Sequence, residues 1–260
     1  MRSDPLHARA DELEAHGPPT RGGDGSTPPM ERRAFLRKAG LGAAVAGAAW
    51  VAPSVVGFDV AFAGASCNQQ DTLNWGAFAT GASFTSQTFP AVGSYPAVTV
   101  TLSVVPVLTP TPVTGNQTVW SETYGGQSNK FWKMFMNNNR TAEGYNATFT
   151  FSVPVYNLRF SLFDIDRYDA GNGTGFQDVV WLTGAAFTAT KPGAGNVVIG
   201  NGTTASPWTG TGTASVPGNS NDGNVNVVMA TASAFTVNYR SGDLFNAQQS
   251  IGIGNLVFCR

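Results

Sequence analysis

The chain has 260 residues and carries 15 Lys and Arg against 16 Asp and Glu, a formal net charge of -1. Its 31 Gly and 15 Pro are too few for a low-complexity chain, and its basic charge is too small for a nucleic-acid binder. With only two Cys and two His it also lacks the ligands for zinc ribbons, haem attachment or iron–sulfur clusters.

The first distinctive motif is an arginine pair near the N-terminus. Arg32 and Arg33 are followed, after one spacer residue, by Phe and Leu and then by a weakly apolar stretch rich in Ala and Gly, 39–56. This run resembles the twin-arginine (Tat) export signal, and Ala-Phe-Ala at 61–63 fits a cleavage site. The apolar stretch is too short and too often broken by Gly and Pro to favour a membrane-spanning helix.

The resemblance to a Tat signal implies a Tat translocase as partner during export and cleavage after residue 63. We expect a product that is extracellular or associated with the cell wall, without a stable membrane anchor. Residues 1–29 are polar and rich in Pro and Gly, which indicates a disordered leader, or a chain that truly starts at Met30. Residues 30–63 are then the signal peptide, and 64–260 form a single domain.

That domain has 197 residues, with eight Lys and Arg, nine Asp and Glu and no His. Without His, a Ser-His-Asp triad and a conventional zinc site are excluded. Its two cysteines, Cys67 and Cys259, stand close to its two ends. In an oxidising compartment they predict a disulfide that closes a loop of about 190 residues and makes the first and last strands neighbours. The alternative is a pair of free, buried thiols.

Several stretches of the domain alternate apolar and polar residues with the period of two that marks a half-buried strand. They are residues 98–104, 147–153, 158–162 and 235–239. Clusters of Gly, Asn and Asp separate the stretches, and no helical period follows residue 64. We therefore expect an all-β fold, an antiparallel β-sandwich or jelly roll of about ten to twelve strands. In the last strand, 251–258, the apolar parity changes at Gly254, which predicts a bulge.

The candidate chemistry is a group of carboxylates between residues 163 and 180. Asp164 and Asp166 continue the inward parity of the strand before them, and Asp169 and Asp178 follow within 15 residues. A buried carboxylate needs a compensating partner, which a neighbouring Arg or the backbone N–H groups of a turn can supply. Alternatively, the four acids bind Ca²⁺ together with loop carbonyls, because calcium takes six to eight oxygen ligands.

A third interpretation of these acids is catalytic. Glycoside hydrolysis uses two carboxyl groups on either side of the scissile bond, and Asp164 with Asp178 is the pair to test. Two tryptophans are candidates for sugar stacking. Trp132 stands beside Asn and Arg residues, although its strand pattern also fits the core, and Trp208 lies in a Gly- and Thr-rich loop that favours exposure.

Taken together, segments along the whole domain resemble poorly characterised β-sandwich modules of secreted and cell-surface proteins of actinobacteria. The segments are residues 72–75, 148–155, 163–179 and 251–258. The resemblance implies an extracellular, non-catalytic module and names no ligand. We expect a binding or structural role, with calcium as a candidate stabiliser and a cell-envelope component or polysaccharide as the candidate partner. The alternative is a carbohydrate-active enzyme or carbohydrate-binding module that uses carboxylates near Asp164 and Asp178.

Overall fold

The computed structural model describes residues 69–93, 97–193, 195, 197–243 and 247–260, without the side chains at 90 and 91. The predicted leader, the signal with Arg32 and Arg33, and Cys67 therefore lie outside the described residues. No helix in the described part of the chain is long and apolar enough to cross a membrane.

The described residues form fifteen strands and one 3₁₀ turn, Trp75–Ala77. The strands are β1 (Gln70–Leu73), β2 (Ser86–Val92), β3 (Val98–Val107), β4 (Thr111–Pro112), β5 (Thr118–Trp120), β6 (Phe131–Asn138), β7 (Gly144–Phe163), β8 (Arg167–Asp169), β9 (Gly175–Thr183), β10 (Thr188–Thr190), β11 (Val198–Ile199), β12 (Trp208–Gly210), β13 (Val225–Ser241), β14 (Ala247–Ile253) and β15 (Leu256–Cys259). The all-β prediction is confirmed. The strand count exceeds the expected range because strands of two or three residues are too short to show alternation.

Two long strands, β7 and β13, form the frame of the fold. They pair antiparallel from Gly144 opposite Arg240 to Leu162 opposite Val225, and the register shifts near the middle, between Ala232 and Ala234. The first half of β7 pairs with β3 on its other side, and the second half pairs with β14 and β15. The two long strands therefore contribute to both layers of the fold.

Ring contacts show that the two layers face one another across the main apolar core. Phe149 and Phe160 lie in opposite halves of β7, yet both stack on Phe235, with ring centroids 5.1 and 4.8 Å apart. In the same way Trp132 of β6 meets Phe149 edge-on at 6.5 Å. This is the arrangement of a β-sandwich, in which the inner faces of two sheets share one apolar interior.

The strand order of each layer follows from the pairings. One layer runs β2-β3-β7-β13-β9-β12-β11, and the other runs β1-β15-β7-β13-β10. In the second layer β14 also pairs with β7, next to β15, and connects it through β6 to β4 and β5. The short strand β8 forms a hairpin with β9. All of the pairings between described strands are antiparallel.

The two ends of the domain lie side by side, as the sequence predicted. Strand β1 pairs with β15, so that Gln70 stands opposite Cys259. A buried ion pair of 2.6 Å between Arg260 and Asp71 reinforces this contact. Cys259 is 2% exposed and is not a free thiol. Since Cys67 lies outside the described residues, its bond to Cys259 stays a prediction.

The predicted phase change at Gly254 is also present. Strand β14 ends at Ile253 opposite Leu162, and β15 places Val257 opposite Arg159, four residues along one chain against three along β7. One extra residue is therefore accommodated around Gly254, whose N–H donates to the carbonyl of Ser161 at 2.9 Å. As a result both apolar sets of the segment, before and after Gly254, face the core.

Candidate functional site

The acidic segment begins where β7 ends. Asp164 has a φ of +64°, in the left-handed region that Asp tolerates better than most residues. The strand therefore does not continue regularly through Asp166, because the chain turns at Asp164. The next residue, Ile165, is buried, and its N–H donates to the carbonyl of Gly223 at 2.8 Å. Asp166 still points into the protein and is 2% exposed.

Asp166 and Asp178 are joined through the backbone. The N–H of Asp166 donates to Oδ2 of Asp178 at 3.1 Å, and the N–H of Asp178 donates to the carbonyl of Asp166 at 2.9 Å. The Asp166 carboxyl group in turn accepts the N–H of Val216 at 2.5 Å. Val216 belongs to the long connection between β12 and β13, residues 211–224. The two acids thus fasten this connection to β9.

Tyrosine hydroxyls supply the remaining contacts of the cluster. Tyr239 of β13 donates its hydroxyl proton to Oδ1 of Asp178 at 2.7 Å, and both side chains are fully buried. The Tyr124 hydroxyl contacts Asp164 and lies 2.5 Å from Oγ of Ser250. Oδ1 of Asp164 is buried without a hydrogen-bond partner among the described residues. We call Asp164, Asp166 and Asp178 the carboxyl cluster.

Burial dominates the electrostatics of the carboxyl cluster. It raises the pKa of Asp164 to about 6 and that of Asp166 to about 7, and repulsion from Asp164 contributes to the second shift. The pKa of Asp178 is raised well above its ordinary value by burial first and by repulsion from Asp166 second. The cluster therefore retains protons at a mildly acidic pH at which an exposed Asp is ionised.

The arrangement does not present the carboxyl groups to a large substrate. A glycosidase needs two carboxyl groups that flank a bound sugar chain. Asp178 has no exposed surface and Asp166 has almost none, and their oxygens accept bonds from backbone and tyrosine donors. These acids accept hydrogen bonds from buried backbone N–H groups that would otherwise have no partner, and they hold three segments of the chain together.

The fourth predicted acid stands apart from the cluster. Asp169 forms an ion pair of 3.1 Å with Arg167, and its other oxygen accepts the N–H of Gly171 at 2.8 Å. It therefore shapes the turn of the β8–β9 hairpin. Within the described residues, no group of three or more His, Cys, Asp or Glu side chains is placed to hold a metal ion. Calcium binding at Asp164, Asp166, Asp169 and Asp178 stays a prediction.

Both tryptophans proposed for sugar stacking lie in the core. Trp132 is 0% exposed and stacks on Trp75 at 6.3 Å, which confirms the core interpretation of its strand and corrects its assignment to a ligand site. Trp208 is 1% exposed, so the predicted exposure of its loop is wrong. The physical reason is tertiary cover, because Phe187 packs on one side of the Trp208 ring and the turn at Gly202 on another.

A different tryptophan reaches the surface. Trp120 at the end of β5 is half-buried and lines an open groove of about 390 Å³ together with Glu122. Sequence reasoning missed this residue because β5 has only three residues and shows no alternation. The sequence does contain one local indication that Trp120 lies near the surface, because the polar run Ser-Glu-Thr follows it directly.

The chain matches no protein-family model, no curated protein and no solved structure.

Proposed function

We propose that the chain is a secreted or cell-surface, non-catalytic β-sandwich module with a binding or structural role. The observation that carries the proposal is the state of Asp178, which is fully buried and bonded through both carboxyl oxygens. An acid in this position stabilises the fold and does not meet a polymer. The export half of the proposal is supported by the Tat-like motif at Arg32 and Arg33.

On this proposal the carboxyl cluster is a structural tie. Asp166 holds Val216 of the 211–224 connection, and Asp178 holds both Asp166 and Tyr239. Removal of one acceptor leaves a buried donor without a partner, which costs about 1–3 kcal/mol. The tie therefore contributes to stability even though its three carboxyl groups are themselves costly to bury.

The test compares hydrolysis with stability in the full chain. We expect no release of reducing ends from soluble polysaccharides by the wild type. We expect Asp178→Asn to lower the free energy of unfolding by about 1–3 kcal/mol, because an amide cannot accept both bonds. Asp243→Asn, at an exposed position, is the control and should change stability little. Hydrolysis by the wild type that is lost in a folded Asp178→Asn protein would instead establish the glycosidase alternative.

Calcium at the carboxyl cluster is a separate part of the proposal. A cation would offset the repulsion among the three carboxylates of the cluster, which supports the idea physically. We expect Ca²⁺ to raise the midpoint of thermal unfolding of the full chain at pH 7 relative to a chelator, since a ligand that binds only the folded state stabilises it. Asp164→Asn should abolish the shift. An equal midpoint in Ca²⁺ and chelator would remove calcium from the proposal and leave the structural tie.

A further inference from the structure

Two surface grooves flank the loop at residues 113–118. The first, of about 390 Å³, is lined by Thr80, Thr114, Trp120 and Glu122 among others. The second, of about 500 Å³, is lined by three prolines, two valines, Tyr145 and a few polar side chains. Both grooves include Gly115 in their walls, so they adjoin one another across the loop. Their volumes fall within the range of small-molecule binding sites.

The indole of Trp120 is held in place by its neighbours. Its Nε1 donates to the carbonyl of Gly115 at 3.0 Å and to the hydroxyl of Thr118 at 2.8 Å. The ammonium of Lys133 lies 3.9 Å from the ring centroid, and Phe135 meets the ring edge-on. A ring that is already immobile loses little conformational entropy when a ligand packs on it.

The chemistry of the walls defines the class of ligand. Among the described residues that line the two grooves, Glu122 is the one with a charged side chain. The first groove adds the hydroxyls of Thr80, Thr114 and Ser121 to the apolar surface of the indole. Apolar walls with a few hydroxyl and carboxylate groups complement a ligand that has apolar C–H faces and many hydroxyls. A carboxylate can accept hydrogen bonds from two neighbouring hydroxyls of such a ligand.

The groove carries one charge of each sign close to the indole. The ammonium of Lys133 lies over the ring of Trp120, and the carboxylate of Glu122 is exposed in the groove wall and attracts that ammonium. Because the two charges offset one another, the groove attracts neither a cation nor an anion strongly, and a neutral, hydroxyl-rich ligand suits it best.

We propose that the Trp120 groove binds a neutral oligosaccharide, with the indole as stacking platform, Glu122 as acceptor of sugar hydroxyls and the adjoining groove as a second subsite. The inference rests on the binding role proposed above and assigns it a ligand class. It places the site away from the carboxyl cluster, and it names Trp120 in place of the buried Trp132 and Trp208.

The test is affinity electrophoresis of the full chain in gels that contain soluble starch, laminarin, hydroxyethylcellulose or galactomannan. We expect at least one of these neutral polysaccharides to retard the wild type. Trp120→Ala should weaken that binding by about tenfold or more, as truncation of an aromatic anchor does. The matched control is Trp181→Ala. Trp181 is also half-buried and also lies under a cation, Arg240 at 5.0 Å, but it lines neither groove.

A second variant guards against misfolding of Trp120→Ala. Because Glu122 is exposed, solvent weakens its attraction to Lys133, and Glu122→Gln should change the melting midpoint little. It should weaken binding several-fold through loss of the charged acceptor. The inference is overturned if no polysaccharide retards the wild type, if the Trp120 and Trp181 variants bind equally, or if a neutral proline-rich peptide binds in place of the sugars. Release of reducing ends would contradict the proposed function instead, whereas a stable chain that neither binds nor hydrolyses sugars contradicts only the inference.

Discussion

At the scale of single residues, the partners of the buried acids come from distant parts of the chain. The inward parity of the preceding strand indicated that Asp166 is buried, and the structure confirms it at 2% exposure. Its acceptor role toward Val216, 50 residues away, had no signal in the sequence. Nor did the hydroxyl that Tyr239 provides to Asp178. The position of a residue in the alternating pattern indicates which face of the strand its side chain occupies. Its hydrogen-bond partners depend instead on how distant segments pack against that face.

The raised pKa values of Asp164 and Asp166 predict an unusual pH dependence of stability. Since the pKa of each is about 6 or 7 when folded and near 4 when unfolded, the folded chain holds protons that the unfolded chain releases. Their contribution to the free energy of unfolding is therefore greatest below about pH 4 and is lost as the pH rises through about 6 to 7.

Urea unfolding of the full chain between pH 4 and pH 8, in chelator, measures this effect. Asp164→Asn should remove a share on the order of 2 kcal/mol from the pH dependence, because the amide does not titrate. A wild-type stability that rises steadily from pH 5 to pH 8, with the Asp164 variant parallel to it, would contradict the raised pKa values.

At the scale of elements, the alternation of apolar and polar residues located the strands but did not show where two predicted strands form one. The stretches 147–153 and 158–162 read as two strands, yet the structure makes them one, β7. The alternation is interrupted around Pro154, where pairing with β13 also changes register. A register shift of this kind lets a strand bend while its backbone stays extended. The apolar pattern is therefore interrupted at a point where the strand itself continues from one layer into the other.

Two glycine turns, at Gly202 and Gly171, differ in what surrounds them. Gly202 has a φ of +73°, and a Cβ there would lie 2.3 Å from Cζ2 of the Trp208 ring. Gly171 has a φ of +79°, and a Cβ there meets nothing within 4 Å among the described residues. Gly171→Ala should therefore cost only the strain of the left-handed region, about 1–2 kcal/mol.

Gly202→Ala should cost about 1–3 kcal/mol more than Gly171→Ala, because it adds a clash with a fully buried ring. Denaturant unfolding of both variants gives the comparison. Equal losses of stability in the two variants would show that the turn does not hold Trp208 in the core.

At the scale of the whole molecule, the two ends of the domain lie side by side, as a bond between its two distant cysteines requires. The register of β1 and β15 places Gln70 opposite Cys259. Gln70 comes three residues after Cys67 in the sequence. Asp71 and Arg260 add an ion pair at the same place. A covalent bond between Cys67 and Cys259 would close nearly the whole domain into one loop and restrict its unfolded state.

Reduction is therefore predicted to destabilise the full chain strongly. We expect a loss of about 2–4 kcal/mol in urea unfolding when a dithiol reductant is added, in keeping with a long closed loop. The Cys67→Ser, Cys259→Ser double variant should match the reduced wild type and should not respond to the reductant. If the oxidised and reduced wild type unfold at the same urea concentration, the bond is absent or contributes nothing.

The sequence by itself determined the all-β class, the core faces of the main strands and the meeting of the two ends of the domain. These features follow from a period of two and from the positions of two cysteines, which are properties of short segments and of composition. Tertiary structure alone decided that Trp208 is covered, that Trp120 reaches a groove and that the acids are bonded to a distant connection and a tyrosine. The burial of a side chain and the identity of its partners depend on which distant segments pack together. The local alternation of apolar and polar residues carries no information about that packing.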